Sequence, residues 1–161
     1  RRVGEIRGGP DGRVARAGMQ SGIEPWLTRE SLRPARIALA MNAVVSGDRL
    51  EVDLQATASA GQALPAVKLF LAVTEGNLHS RVTAGENRGS ALRHDHVVRE
   101  FAGPFDFPAS ASGTAPVPKT LTKSVRMQAG WRREALTMVA FAEDGITGEI
   151  LQSLPVALCR Q

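Results

Sequence analysis

The sequence of 161 residues is poor in aromatic side chains: Phe and Trp together make up 4% of it, and Tyr is absent. The core must therefore be built mainly from aliphatic residues. Proteins that bind single-stranded nucleic acid stack the bases on aromatic rings, so the scarcity argues against that function. The net charge is +4, but the basic residues are scattered rather than gathered in the patch that nucleic-acid binding requires. We therefore expect no nucleic-acid partner.

Cysteine and long apolar runs are also nearly missing. The single cysteine, Cys159, cannot form a disulfide within the chain, and no Cys-x-x-Cys motif is present, which excludes dithiol redox chemistry by this chain alone. No apolar run approaches the roughly 20 residues that span a bilayer. The sequence starts with neither an initiator Met nor a signal peptide, as we expect of a mature or excised fragment.

The composition and the local sequence signals predict one folded domain after a short connector. The hydrophobic fraction of 43% is typical of a globular chain. We assign residues 1–35 to an N-terminal segment or connector, in which residues 3–16 form a hairpin or a tail. A short helix then starts at the N-cap Ser21 and ends at Pro34. Residues 36–161 form the main domain.

The main domain shows the two-residue period of half-buried strands. In "RLEVDLQATA", residues 49–58, apolar and polar side chains alternate cleanly, and the segments starting at Ile37 and Val67 repeat the pattern. Three further runs near the C-terminus read as strands, and residues 103–118 read as a loop or edge crossing. Short turns and no helices separate the strands, which predicts an all-β fold, an antiparallel β-sandwich of seven or eight strands. Eight residues are predicted to form its core: Leu50, Val52, Leu54, Leu69, Leu71, Val73, Met138 and Ala140.

The charged segment "AGENRGSALRHDHVVREF", residues 84–101, is the main candidate for a site. On one continuous strand His94 and His96 would share a face, and His79 from the preceding strand would be a third ligand for Zn or Cu. The alternative is a structural hairpin with its turn at Gly85 to Gly89 and its second strand starting near Leu92. In that case Arg99 ties the strand back to Glu86 or Asn87. We favour the hairpin, with no metal, no cofactor and no catalytic residue, because a His-x-His pair alone is a weak motif.

Other reaction classes lack their motifs. The sequence contains no Gly-x-Ser-x-Gly elbow, P-loop or Gly-x-Gly-x-x-Gly fingerprint. Trp131 reads as a core anchor more readily than as a stacking platform for a ligand. We therefore expect no enzyme.

The segments "VTAGENRGSALRHDHVVREFAGPF", residues 82–105, and "VAFAEDGITGEILQSLPVALC", residues 139–159, carry a family resemblance. They resemble the C-terminal half of a family of bacterial secreted proteins of unknown function, in which a β-rich domain follows a thioredoxin-like domain. The resemblance covers residues 36–159. The residues that match in the first segment are Gly85, Glu86, Asn87, Gly89, Leu92, His96, Val97, Val98 and Arg99. Those in the second are Val139 to Phe141, Asp144, Gly148, Leu151 and Gln152.

The resemblance implies a periplasmic or secreted location and a thioredoxin-like domain or another envelope protein as partner. Residues 1–35 would then be the tail of the thioredoxin-like half or the connector after it. Three hypotheses remain. They are a non-catalytic accessory or interaction domain, a metal-binding module or metalloenzyme using His94, His96 and His79, and a carbohydrate- or peptide-binding sandwich.

Overall fold

The computed structural model describes residues 25, 28, 32, 34–61, 63–111, 113, 115 and 117–158. The chain divides into two compact units, Arg1–Pro34 and Ala35–Gln161. The predicted N-terminal hairpin, the N-cap Ser21 of the predicted helix and Cys159 lie outside the described residues. In the part of the chain that is described, no helix has the length and apolar character needed to cross a membrane.

The described part of the second unit contains nine strands and one short 3-10 helix, Arg133–Ala135. The strands are β1 Ile37–Ser46, β2 Arg49–Ala58, β3 Val67–Glu75, β4 Leu78–Arg81, β5 Ala91–His94, β6 Val97–Phe107, β7 Lys119–Arg126, β8 Leu136–Asp144 and β9 Ile150–Ala157. They form a three-stranded sheet in the order β1-β2-β7, a four-stranded sheet in the order β6-β3-β8-β9, and the two-stranded ribbon β4-β5. Every strand pair is antiparallel. The predicted all-β, antiparallel fold is confirmed.

The two larger sheets share a hydrophobic core. One buried cluster joins Leu50, Val52 and Leu54 of β2 to residues of β3, β7 and β8. The eight residues predicted for the core are all at most 2% exposed, which confirms the alternation seen in the sequence. A second cluster, which includes Ile37, Leu69 and Phe107, continues the core toward the other end of the sheets.

Two sequence predictions about strand boundaries are wrong. The segment that starts at Leu92 is not one continuous strand, because β5 ends at His94 and β6 begins at Val97. Residues 103–107, predicted as part of a loop or edge crossing, are the last residues of the edge strand β6. Pro104 is tolerated there because β6 lies at the edge of its sheet, where a missing N–H breaks no ladder.

Candidate functional site

The charged segment forms the tip of a long hairpin. The β4-β5 ribbon pairs Leu78 with His94 and Arg81 with Ala91, and the chain turns between them. Gly85 and Gly89 have φ of 79° and 91°, a region that glycine occupies without steric cost. The Gly89 N–H donates to the Val82 carbonyl and the Val82 N–H to the Ser90 carbonyl, which closes the turn.

The three histidines do not converge. His79 lies opposite Arg93, whereas His94 lies opposite Leu78, and successive residues of a strand point to opposite faces. His79 and His94 therefore face opposite sides of the ribbon. His96 sits in the break between β5 and β6 with φ of 56°, so it does not continue the face of His94. The alternative of a His94–His96 metal pair fails because of this left-handed residue, which the strand pattern did not reveal.

His94 has a protein partner instead: its Nε2 lies 2.7 Å from Oγ of Ser80 on the neighbouring strand. Within the described residues, no three His, Cys, Asp or Glu side chains lie close enough together to hold a metal ion. Among the described residues, no third side chain is therefore in place to complete a metal site with His94 and His96.

The base of the hairpin is a joint at which both strands bend. The β3-β6 ladder ends at the pair Glu75 and Val97, and the β4-β5 ladder starts at Leu78 and His94. Gly76 and Asn77, between β3 and β4, lie opposite Asp95 and His96, between β5 and β6. Asn77 is also left-handed, with φ of 53°, and its N–H donates to Oδ1 of Asp95 at 2.7 Å. That bond is the main cause that lowers the pKa of Asp95.

The joint is fastened by Glu75, whose side chain is fully buried. Arg99 Nε donates to its Oε2 at 2.9 Å, and Arg132 Nε donates to its Oε1 at 3.1 Å. The Arg132 backbone N–H also donates to Oε1, at 3.2 Å. Arg132 further donates to the carbonyls of Gly76 and Asn77, at 2.6 and 2.8 Å. The Glu75 carboxylate thus links three segments of the chain, namely β3, β6 and the segment before β8 that contains Arg132.

Burial alone would raise the pKa of Glu75, but the Arg132 backbone N–H and the side chains of Arg132 and Arg99 outweigh it and lower the pKa. The carboxylate stays ionised and cannot serve as a proton donor near neutral pH. Arg99 was expected to reach Glu86 or Asn87, which is wrong: its partner Glu75 lies at the base of the hairpin rather than at its tip. The sequence offered no signal for this contact, since 24 residues separate the two side chains.

The outer surface of the four-stranded sheet carries three of the five phenylalanines of the chain. Phe70 on β3 stacks on Phe141 of β8, with ring centroids 5.0 Å apart, and on Phe101 of β6, at 5.6 Å. Phe101 and Val98 are each 54% exposed. We call these four residues, Phe70, Val98, Phe101 and Phe141, the phenylalanine face. Large apolar side chains grouped on a solvent-facing surface are typical of an interaction site, and the alternation pattern alone did not predict it.

Glycine lets the chain pass close to this face. A Cβ on Gly103 would lie 2.8 Å from Cδ1 of Phe70 and 2.8 Å from the Leu69 carbonyl oxygen, closer than real contacts allow. The β3-β6 ladder shifts its register between Leu69 and Leu71, opposite this point. Gly103 therefore covers one side of Phe70, and Phe101 remains as the exposed ring.

A surface cleft of about 730 Å³ lies beside Trp131. Trp131 packs on the main core cluster, in keeping with the predicted anchoring role. The basic side chains that line the cleft have partners: Arg126 donates to Oδ2 of Asp48 at 2.9 Å, and Arg133 donates to the Gly47 carbonyl. The cleft therefore offers little unsatisfied charge to a ligand.

The sequence comparisons identify a family. Residues 11–142 match the family described as "Protein of unknown function (DUF1223)". The chain belongs to this family. No curated protein matches the sequence.

Two solved structures from Porphyromonas gingivalis share the fold of this DUF1223 chain. HBP35 aligns with a TM-score of 0.65 and 13% identity over 85% of this chain, but over only 46% of HBP35, so this chain spans about half the length of that protein. A domain of the outer membrane lipoprotein Omp28 aligns with a TM-score of 0.52 and 17% identity, over 76% of this chain and 94% of that domain. At such low identities the likeness shows the fold alone.

Proposed function

We propose that this DUF1223 chain is a non-catalytic β-sandwich domain of a periplasmic or secreted protein, and that it binds a thioredoxin-like domain through the phenylalanine face. The observation that carries the proposal is the cluster of Phe70, Phe101 and Phe141 on the outside of the four-stranded sheet, in which Phe101 is 54% exposed and packs on the half-buried rings of the other two. The chain is poor in aromatic residues, yet it places three of them where they contribute little to its own core. Aromatic side chains are enriched at the centres of protein interfaces.

The charged groups support a structural rather than a catalytic role. Among the residues that the structure describes, each carboxylate with a shifted pKa has its pKa lowered, namely Glu75, Asp95, Asp106 and Asp144. General acids and bases need pKa values close to the working pH, which for a carboxyl group means a raised value. Lowered values are typical of carboxylates that hold neighbouring segments together, as Glu75 and Asp95 do at the joint.

The relatives support an envelope location and a partner domain. Omp28 is an outer membrane lipoprotein by its description, and the sequence resemblance implies a secreted protein. HBP35 is about twice as long as the part that this chain matches. The resemblance assigns a thioredoxin-like domain to the region that precedes the β-rich domain, which makes such a domain the natural occupant of the phenylalanine face.

A binding titration tests the proposal. A thioredoxin-like domain of the kind that the resemblance places before the β-rich domain is produced separately and titrated by calorimetry into this chain, into Phe101→Asp, and into Val117→Asp. Val117 is 73% exposed and lies outside the phenylalanine face, so it serves as the matched control. We expect Phe101→Asp to weaken binding at least tenfold, because a charge replaces an aromatic anchor, and Val117→Asp to leave binding unchanged. Equal affinity of all three proteins, or no binding of the unsubstituted chain, would refute this function.

A further inference from the structure

The free edges of the two larger sheets differ in how well they can accept another strand. In the described residues these edges are β1 and β7 of one sheet and β6 and β9 of the other. Strand β7 carries three basic residues, Lys119, Lys123 and Arg126. Strands β6 and β9 contain Pro104 and Pro155, and their ladders have register shifts. Charges, prolines and irregular ladders on an edge hinder the addition of a further strand.

Strand β1 has none of these features. Its ten residues, "IALAMNAVVS", include no charged residue, no proline and no glycine. Its ladder with β2 runs without a register shift from the pair Ile37 and Ala58 to the pair Ser46 and Arg49. A long, regular and uncharged edge of this kind is a template for strand pairing.

The ladder also determines which backbone groups face the free edge. The Ser59 N–H donates to the Arg36 carbonyl at 2.9 Å, in the same register as the β1-β2 ladder. Residues of an antiparallel strand alternate between bonding to one side and to the other. Even-numbered residues of β1 therefore bond to β2. The odd-numbered residues direct their N–H and C=O groups to the free edge: Ile37, Leu39, Met41, Ala43 and Val45.

We propose that β1 pairs with β1 of a second copy of this chain, antiparallel and around a twofold axis, so that the two three-stranded sheets become one six-stranded sheet. With Asn42 on the axis, Met41 of each copy lies opposite Ala43 of the other, and both belong to the odd-numbered set with free backbone groups. Val44, which is 51% exposed, then lies opposite Ala40 of the second copy. The core-facing sides of both strands stay on one side of the joined sheet.

A second copy fits this edge better than pairing that involves the other edges. Two uncharged β1 strands do not repel each other, whereas two β7 strands would bring lysines together. Pairing of β1 with β7 of another copy would leave a β1 and a β7 edge free and extend into filaments, while the twofold arrangement closes. A surface cavity of about 700 Å³ lies beside this edge, lined by residues 41–45 of β1, by Arg133 and Glu134, and by residues 156–158 at the end of β9. A strand added beside β1 would shelter this cavity from solvent.

Sedimentation equilibrium of the full chain between 1 and 200 µM tests the proposal, with two variants. Asn42→Lys places a positive charge on each side of the twofold axis, and the residue is exposed and paired with Asp53 within its own sheet, so the fold tolerates it. Gln55→Lys is the control, because it adds the same charge to an exposed position on the inner neighbour β2. We expect a dimer with a dissociation constant in the micromolar range, since interfaces of small area are weak. Asn42→Lys should weaken it at least tenfold, and Gln55→Lys should change it less than twofold.

Hydrogen exchange at low and high protein concentration supplies a second readout. If the proposal is right, the amides of Leu39, Met41 and Ala43 exchange more slowly at high concentration, while those of β7 do not change. A chain that stays monomeric at 200 µM would overturn the proposal. So would a dimer that Asn42→Lys leaves intact, or protection of these amides that does not depend on concentration.

Discussion

Replacing Glu75 by glutamine tests the central claim about the joint, that one buried carboxylate holds three segments of the chain. The substitution keeps the size of the side chain and removes its charge. Arg99 and Arg132 then lose their common partner, and the new amide N–H₂ group must face one of two guanidinium groups that can only donate hydrogen bonds.

The burial of Glu75 and the exposure of its two arginine partners determine how much stability the substitution removes. Removing one member of a fully buried ion pair costs about 3–5 kcal/mol, because the other charge is left without compensation. Here the two arginine side chains remain 30% and 38% exposed, so water can solvate them after the substitution. We therefore expect Glu75→Gln to lower the free energy of unfolding by roughly 2–3 kcal/mol, below the value for a fully buried pair.

The pH dependence follows from the lowered pKa of Glu75 in the folded chain. A carboxylate with a lowered pKa contributes stability that is fully present above the pKa of the unfolded state, about 4.3 for glutamate. That contribution is lost as the pH falls through the pKa of the folded state. The difference in stability between the unsubstituted chain and Glu75→Gln should therefore be constant at neutral pH and shrink below about pH 4.

Urea denaturation followed by tryptophan fluorescence at several pH values measures this difference, with Glu134→Gln as the control. Glu134 is exposed, so its substitution should change stability by less than about 0.5 kcal/mol. If Glu75→Gln were as mild as the control, or if its effect grew in acid, the account of the joint would be wrong.

Two further predictions concern the core and the histidines. Leu71 is 2% exposed between the two sheets, and Leu71→Ala should lower the free energy of unfolding by roughly 2–5 kcal/mol in urea denaturation. An unchanged urea concentration at the midpoint of unfolding would contradict its place in the core. His96 is left-handed, so His96→Gly should be neutral or stabilising by up to about 1 kcal/mol, whereas His96→Val should cost roughly 1–3 kcal/mol. A metal ligand would behave differently, since both variants would then lose bound zinc or copper in elemental analysis.

The strands were predictable because their cause is local. In β2 the side chains alternate between the core and the outside, and β3 does the same as far as Leu71, so the two-residue alternation records burial directly in the sequence. Glycine was equally informative at Gly85 and Gly89, where the turn requires a positive φ. The segment 103–107 was misread because proline and glycine usually mark loops, whereas an edge strand accepts both.

The joint and the phenylalanine face were not predictable in this way. Glu75, Arg99 and Arg132 meet only after β3 and β6 have paired and the segment before β8 has closed over them, and nothing local marks one buried glutamate among many exposed ones. Both strands bend at the same level, and the left-handed backbone of His96 removes the face shared with His94 on which the alternative metal site depended.

The sequence by itself thus determined the all-β class, the residues of the core and the position of the hairpin turn, because burial and turn sterics act on neighbouring residues. Only the tertiary structure decided which charges are buried, that His79 and His94 face opposite sides of the ribbon, and that three phenylalanines meet on one surface. These features depend on the order and register of strands that are far apart in the chain. Hydrophobic alternation determines which face of a strand is buried, but not which strand lies beside it.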